Sequence, residues 1–136
     1  MSAWANMVTR RQALELFIVA GLVGVASDPP RADTNVALIM VEEPGCPYCA
    51  RWHREVGTAY ANTREGRFAP LVRLMRGDSR IAAIKGLNYS PTFLVMRGTE
   101  EIGRITGYPG ADFFWPLLDE VLAKAGFRTE PDIPAR

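Results

Sequence analysis

The stretch Val36–Cys49 constrains the fold more than any other part of the chain. It runs from six apolar residues, VALIMV, through the turn residues Pro44 and Gly45 to two cysteines separated by Pro47 and Tyr48. The apolar run is too short for a helix of ordinary length and is bounded by turn residues, so it predicts a buried strand. Proline suits the first turn of a helix, so a helix is expected to begin beside the first cysteine.

The position of the two cysteines predicts redox chemistry. The unpaired N–H groups at a helix start favour a thiolate over a thiol, and the thiolate is the attacking species. We therefore expect Cys46 to be the exposed attacker and Cys49, one turn further on, the more buried resolver. The alternative is a structural disulfide, but a four-residue loop removes little chain entropy and would stabilise the fold weakly.

The N-terminal segment predicts export. Arg10 and Arg11 precede the apolar stretch Leu16–Ala26, which is shorter than the about 20 residues that span a bilayer. Residues 1–32 are therefore predicted to be a signal peptide, with an N-terminal anchor as the alternative. The paired arginines also fit a twin-arginine export signal.

The rest of the chain predicts a single α/β domain over residues 33–128, followed by a flexible tail, 129–136. Apolar residues at helical spacing after Cys49 predict a helix that ends near Gly66. Three more strands, a short helix and a C-terminal helix capped by Asp112 follow in the sequence: strands 71–75, 90–96 and 101–106, the short helix 81–87, and the last helix from 112 onward.

The order β-α-β-α-β-β-α predicts a mixed four-stranded sheet flanked by helices. Connections through helices favour parallel pairing, and the short turn between the last two strands requires antiparallel pairing. A formal net charge of +1 argues against a surface that binds nucleic acid. We also expect the protein to be a monomer.

The region Val36–Gly126 resembles the thioredoxin fold. The resemblance rests on Cys46-Pro47-Tyr48-Cys49 after the first strand, Ser90-Pro91-Thr92 at the start of the third, and two glycines in and after the fourth. Two longer segments, 42–52 and 107–115, are similar to the SoxS-type periplasmic thioredoxins of bacterial sulfur-oxidation systems. Fold, partner and site residues are expected from this resemblance by analogy.

The resemblance implies further site residues. It implies that Pro91 is cis and faces the cysteine pair, and that Ser90 and Thr92 contact an extended substrate segment. Pro47 and Tyr48 are the remaining substrate-binding candidates. No cofactor is implied beyond the redox-active disulfide Cys46–Cys49.

The chain departs from thioredoxins proper at their buried aspartate, six residues before the first cysteine. Met40 occupies that position, and Glu42 and Glu43 stand nearer the turn, where we expect a solvated strand end. Arg73 is also expected to be solvated. His53 together with the cysteines would offer only three ligands to zinc, so we expect a surface histidine and no metal site.

The sequence therefore predicts a periplasmic thiol–disulfide oxidoreductase. It would reduce disulfides or cysteine-bound sulfur adducts on a partner protein, and the resemblance implies a sulfur-carrier protein. The oxidising periplasm requires electrons from a membrane thiol carrier. Three alternatives remain open: a reductant for cytochrome c maturation, an oxidase that installs disulfides, and a thioredoxin-like binding module without redox activity.

Overall fold

One mixed sheet organises residues 35–129, the part of the chain that the computed structural model describes. Its strands stand in the order β2-β1-β3-β4, so the apolar strand that precedes the cysteines lies inside the sheet. The strands are β1 (Val36–Glu42), β2 (Leu71–Met75), β3 (Thr92–Arg97) and β4 (Glu100–Thr106). The predicted thioredoxin-type α/β fold with a four-stranded mixed sheet is confirmed.

The third strand runs in an unexpected direction. Strands β1 and β2 are parallel, but β3 is antiparallel to β1, with Val41 opposite Thr92, and β4 is antiparallel to β3. The expectation of parallel pairing across both helical connections is therefore wrong for β3. β2 ends and β3 begins at the same end of the sheet. β1 also terminates there, just before the two cysteines.

The connection between β2 and β3 contains less helix than expected. Instead of a helix over 81–87, a single 3₁₀ turn forms at Ser79–Ile81, where the Asp78 carboxylate accepts a hydrogen bond from the Arg80 N–H at 2.9 Å. Gly86 follows with φ of 76°, a left-handed conformation that a helix cannot continue through. The second helix of the predicted order is thus reduced to one turn.

The helix after the cysteines is interrupted and ends early. It comprises α1 (Pro47–Trp52), a π-helical turn (His53–Gly57) and α2 (Thr58–Tyr60), together called the active-site helix below. Gly66 lies in a separate short helix, α3 (Arg64–Phe68), because the Thr63 hydroxyl accepts from the Gly66 N–H at 3.0 Å and caps a new start.

The C-terminal helix α4 (Ala111–Lys124) starts one residue before the expected cap. Gly110, with φ of 105°, precedes it, and no side chain caps it. The predicted capping role of Asp112 is wrong, since that residue already lies in the first turn. Pro116 is accommodated inside the helix.

The larger hydrophobic cluster lies between the sheet and the two longest helical segments. Fully buried aromatic rings fill it, with Phe93 from β3 and Phe114 from α4 at 4.8 Å between ring centroids, and Trp52 from α1 against both. A smaller cluster on the opposite face contains Val41, Leu74, Ile81, Leu94 and Met96. Burial of α1 through Trp52 fixes the helix that carries both cysteines.

A buried glutamate ties this helix to the sheet. Glu42 is only 4% exposed, and its carboxylate is 2.5 Å from Nε2 of His53 and accepts a hydrogen bond from Nε of Arg73 at 2.7 Å. The expectation of a solvated Glu42 is wrong, whereas Arg73 is exposed as expected although it pairs with this carboxylate. His53 is half-buried against the same carboxylate. Glu42 is buried because alternate residues of a strand face the same side of the sheet. Glu42 shares its face of β1 with Leu38 and Met40, and that face packs on the active-site helix.

No helix within residues 35–129 is long and apolar enough to cross a membrane. The predicted signal segment, 1–32, and residues 130–136 of the predicted tail lie outside the described residues and stay predictions.

The carboxylate of Glu42 contributes pH-dependent stability. Burial alone would raise its pKa, but hydrogen bonds from Arg73 and His53 outweigh burial and hold the pKa below the ordinary 4.5. A group with a lowered pKa stabilises the fold above its unfolded pKa, and that stabilisation is lost as the pH falls through the folded value. We expect Glu42→Gln to lower the free energy of unfolding at pH 7 by about 1–3 kcal/mol.

Urea unfolding at pH 7 and at several values below 4.5 measures this effect, and the variant and the wild type should converge as the pH falls. The matched control is Glu43→Gln, whose carboxylate is half-exposed beside Arg76 and should change stability by less than about 1 kcal/mol. Equal stability of the two variants at pH 7 would contradict the role of Glu42.

Candidate redox site

The turn after β1 places Cys46 at the start of the active-site helix. Gly45 has φ of 72°, which glycine adopts without steric cost, and the Cys46 N–H donates to the Glu43 carbonyl at 3.3 Å. Cys46 is the N-cap residue of α1, and Pro47 occupies the first helical position. The cysteine thus lies where the backbone N–H groups of the first turn point.

The two cysteines form a disulfide with a Cα–Cα distance of 5.3 Å. The N–H of Cys49 donates to the sulfur of Cys46 at 3.1 Å. Cys49 is 4% exposed, whereas Cys46 is half-buried, so the first sulfur is the more accessible of the two. A thiolate at Cys46 would receive both this hydrogen bond and the positive end of the helix dipole, which lower a cysteine pKa.

The start of β3 lies against this pair. The peptide bond Ser90–Pro91 is cis, as the resemblance implied. The Ser90 hydroxyl is 3.3 Å from the sulfur of Cys49. The pairing of β3 with β1 accounts for the contact, because Thr92 lies opposite Val41 and the preceding residues therefore reach the edge where the cysteines stand.

The five substrate-binding candidates differ in accessibility. Pro47 and Tyr48 are exposed, with Tyr48 at 57%, and Ser90 is half-buried. Pro91 is buried in this disulfide form. The Thr92 side chain is also buried, and its hydroxyl donates to the Tyr89 carbonyl at 2.6 Å, so that side chain presents no surface to a substrate here.

A polar network that the sequence did not predict joins the active-site helix to the loop before α4. The Tyr108 hydroxyl donates to Glu55 Oε2 at 2.6 Å, and Arg51 Nε donates to Glu55 Oε1 at 2.8 Å. The Arg51 guanidinium also lies 5.7 Å from the centre of the Tyr108 ring. The hydrogen bond from Tyr108, followed by that from Arg51, holds the pKa of Glu55 below its usual range. Arg51 and Glu55 are four residues apart, a helical pairing readable from sequence, but nothing local identified Tyr108 as the third member.

The position of the buried aspartate of thioredoxins holds Met40, which is fully buried in the larger cluster. The buried carboxylate of this chain is instead Glu42, one step further along the same face of β1. His53 contacts that carboxylate through Nε2. Within residues 35–129, no group of three or more His, Cys, Asp or Glu side chains is arranged to hold a metal ion.

Comparisons with known proteins agree with this geometry. The family model of the thioredoxin-like domain matches residues 31–122. The structure is similar to that of the periplasmic thioredoxin SoxS from Paracoccus pantotrophus in its reduced form, with 44% sequence identity and a TM-score of 0.62. That match covers 66% of this chain and 98% of the other. No curated protein sequence matches the chain significantly.

More distant structures share the fold alone. Thioredoxin f2 of Chlamydomonas reinhardtii is 15% identical, with a TM-score of 0.51, over 64% of this chain and 79% of its own. Trxlp from Edwardsiella tarda EIB202 is 22% identical, with a TM-score of 0.50, over 65% of this chain and 85% of its own. From the family match, the sheet topology and the Cys46–Cys49 disulfide together, we conclude that this chain belongs to the thioredoxin-like family and is a thiol–disulfide oxidoreductase.

Proposed function

We propose that the protein reduces disulfides, or sulfur adducts bound to cysteine, on a partner protein in the periplasm. Cys46 is the nucleophile and Cys49 the resolving thiol. The observation that carries the assignment is the hydrogen bond from the Cys49 N–H to the Cys46 sulfur at a helix start. That arrangement stabilises the thiolate of the accessible cysteine selectively.

The reaction transfers two electrons to the partner. The Cys46 thiolate attacks one sulfur of the partner's disulfide, which forms a mixed disulfide and releases the other sulfur as a thiolate. Cys49 then loses its proton and attacks the Cys46 sulfur, so the mixed disulfide breaks and the second partner sulfur leaves as a thiolate. Cys46 and Cys49 end oxidised to a disulfide, and a partner disulfide ends as a dithiol. Where the target is an adduct on a single cysteine, the partner ends with a free thiol and the sulfur of the adduct leaves as a second thiol.

The surroundings of the cysteines support these roles. The Ser90 hydroxyl at 3.3 Å is placed to donate a hydrogen bond to the Cys49 sulfur when that thiol loses its proton. Exposed Pro47 and Tyr48 form one border of the approach to Cys46 and half-buried Ser90 forms the other, with the buried residues Pro91 and Thr92 contributing backbone only. The pair itself is the redox group, and no other cofactor enters the reaction.

The partner and compartment are proposed from the similarity to the periplasmic thioredoxin SoxS at 44% identity. The partner is a sulfur-carrier protein of a sulfur-oxidation pathway, whose cysteine must be kept free of dead-end adducts. Because the periplasm is oxidising, a membrane thiol carrier returns electrons to Cys46–Cys49. Residues 1–32 direct export, and the domain acts as a monomer.

A second candidate function is reduction during cytochrome c maturation. Thioredoxin-like reductants of that kind tend to carry an acidic residue near the site. The buried carboxylate of Glu42 beside the active-site helix is the observation that favours it. Identification of the protein captured by the enzyme separates the two functions.

Cys49→Ser should trap the partner. Without the resolving thiol, the mixed disulfide between Cys46 and the partner cannot be released. Incubation of the reduced variant with periplasmic extract should therefore give a covalent adduct that dithiothreitol reduces. Mass spectrometry then identifies the captured protein as a sulfur carrier or an apocytochrome. The double variant Cys46→Ser/Cys49→Ser is the control, and an adduct of equal yield with it, or none with Cys49→Ser, would contradict the assignment of roles.

The reduction potential decides the direction of electron flow. We expect redox titration of Cys46–Cys49 against glutathione buffers to give a value between about −200 and −270 mV, the range of glutaredoxins and thioredoxin. Mass spectrometry of alkylated samples at each ratio of glutathione to its disulfide gives the oxidised fraction. A value near about −120 mV, typical of the oxidase DsbA, would instead indicate that the protein installs disulfides.

A further inference from the structure

An open groove of about 320 Å³ lies beside the active-site helix. Arg51 and Glu55 of that helix form one wall, and the segment Pro109–Phe113, from the loop and the first turn of α4, forms the other. We propose that this groove binds an apolar side chain of the partner polypeptide, two or three residues away from the target cysteine. The inference rests on the proposed function, since a protein substrate carries residues on both sides of its reacting sulfur.

The polar groups of the first wall are already paired with one another. Both oxygens of Glu55 are engaged, one by Arg51 Nε at 2.8 Å and the other by the Tyr108 hydroxyl at 2.6 Å. The charges of Arg51 and Glu55 cancel across this short contact. Asp112 also lines the groove, at the N-terminal turn of α4, where the helix dipole favours a negative charge. The charged side chains that line the groove therefore carry one net negative charge, from the exposed Asp112, which disfavours an acidic segment of the partner.

The opposite wall presents apolar surface to solvent. Phe113 is 67% exposed, and exposed Pro109 and half-buried Ala111 adjoin it. Large exposed aromatic side chains are enriched at protein interfaces, where covering the ring removes apolar area from water. An aliphatic side chain of a partner would cover the Phe113 ring in this way.

Close contacts join the two walls of the groove. A Cβ atom at Gly110 would lie 3.4 Å from Nη2 of Arg51, which shows how closely the loop approaches the helix. The Phe114 N–H donates to the Gly110 carbonyl at 2.9 Å and fixes the start of α4. The hydrogen bond from Tyr108 to Glu55 also joins the loop before α4 to the active-site helix.

The position of the groove sets the distance to the reacting sulfur. Arg51 follows Cys46 by five residues, which along a helix separates two Cα atoms by about 9 Å when rise and rotation are both counted. An extended peptide advances about 3.3 Å per residue, so a segment whose cysteine reaches Cys46 brings its second or third neighbour to the groove. Tyr48 stands between them on the exposed side of the helix, three residues before Arg51.

The test uses glycine–serine peptides that each contain one cysteine. Two identical peptides are joined through their cysteines, and this symmetric disulfide is the substrate. Leucine replaces serine at each of four positions on either side of the cysteine, one at a time, and kcat/KM is measured for each peptide. We expect leucine at the second or third position on one side to raise kcat/KM about fivefold to tenfold over the all-serine peptide, a typical contribution of a buried interface anchor.

Phe113→Ser should reduce that ratio to about one, whereas Leu117→Ser should keep it. Leu117 lies one turn further along α4, is 41% exposed and does not line the groove, so it is the matched control. Because the preference is a ratio within one variant, a partial loss of folded protein cancels.

The outcomes separate this inference from the proposed function. Turnover of the peptides without positional preference, a preference that survives Phe113→Ser, or a lysine preferred to leucine would each overturn the apolar groove and leave the redox assignment standing. Failure of the wild type to reduce both the peptides and bis(2-hydroxyethyl) disulfide would overturn the proposed function, and this inference with it.

Discussion

The hydrogen bond from the Cys49 N–H to the Cys46 sulfur is the interaction on which the chemistry depends. It exists because a proline-glycine turn follows β1 and presents Cys46 as the N-cap residue of a helix, where the backbone N–H groups of the first turn lack intrahelical partners. The same spacing buries Cys49 and leaves Cys46 accessible. One local piece of geometry thus produces both the activation of the attacking sulfur and the division of labour between the two cysteines.

Two features of the sheet hold this geometry in place. Glu42 at the end of β1 binds His53, one turn beyond Cys49, so the position of the helix is tied to the strand that precedes it. The antiparallel pairing of β3 with β1 brings Ser90 and Pro91 to the end of the sheet where the cysteines lie. Packing of Trp52 against Phe93 and Phe114 then joins strand, active-site helix and α4 in one core. The reactive pair is therefore positioned from three directions.

Local patterns were sufficient to predict the strands, the cysteine pair and its placement at a helix start. The apolar run, the turn residues and Pro47 act over a few residues, and their effects are set by backbone sterics and capping. The direction of β3 depended on pairing between distant segments, which local periodicity does not encode. The cis bond before Pro91 followed from family resemblance, because an X–Pro bond has no strong local preference for that isomer.

The polar contacts were the least predictable part of the site. Glu42 looked like a solvated strand end because it is charged and adjoins a turn, yet partners from the π-helical turn of the active-site helix and from β2, 11 and 31 residues away in sequence, compensate its burial. Tyr108 joins Glu55 across a sequence separation of 53 residues. No helix forms over 81–87, where only the 3₁₀ turn at Ser79–Ile81 precedes irregular backbone, and Gly86 with its left-handed conformation would have ended a helix there in any case.

The pH dependence of iodoacetamide alkylation at Cys46, measured in reduced Cys49→Ala protein, tests the central claim most directly. Alkylation follows the thiolate, so its midpoint reports the pKa of Cys46. The helix start is expected to give a midpoint below about 7.5, against about 8.5 for a free cysteine. A midpoint at or above about 8.5 would show that the helix start does not activate this sulfur, and the account of the site would be wrong.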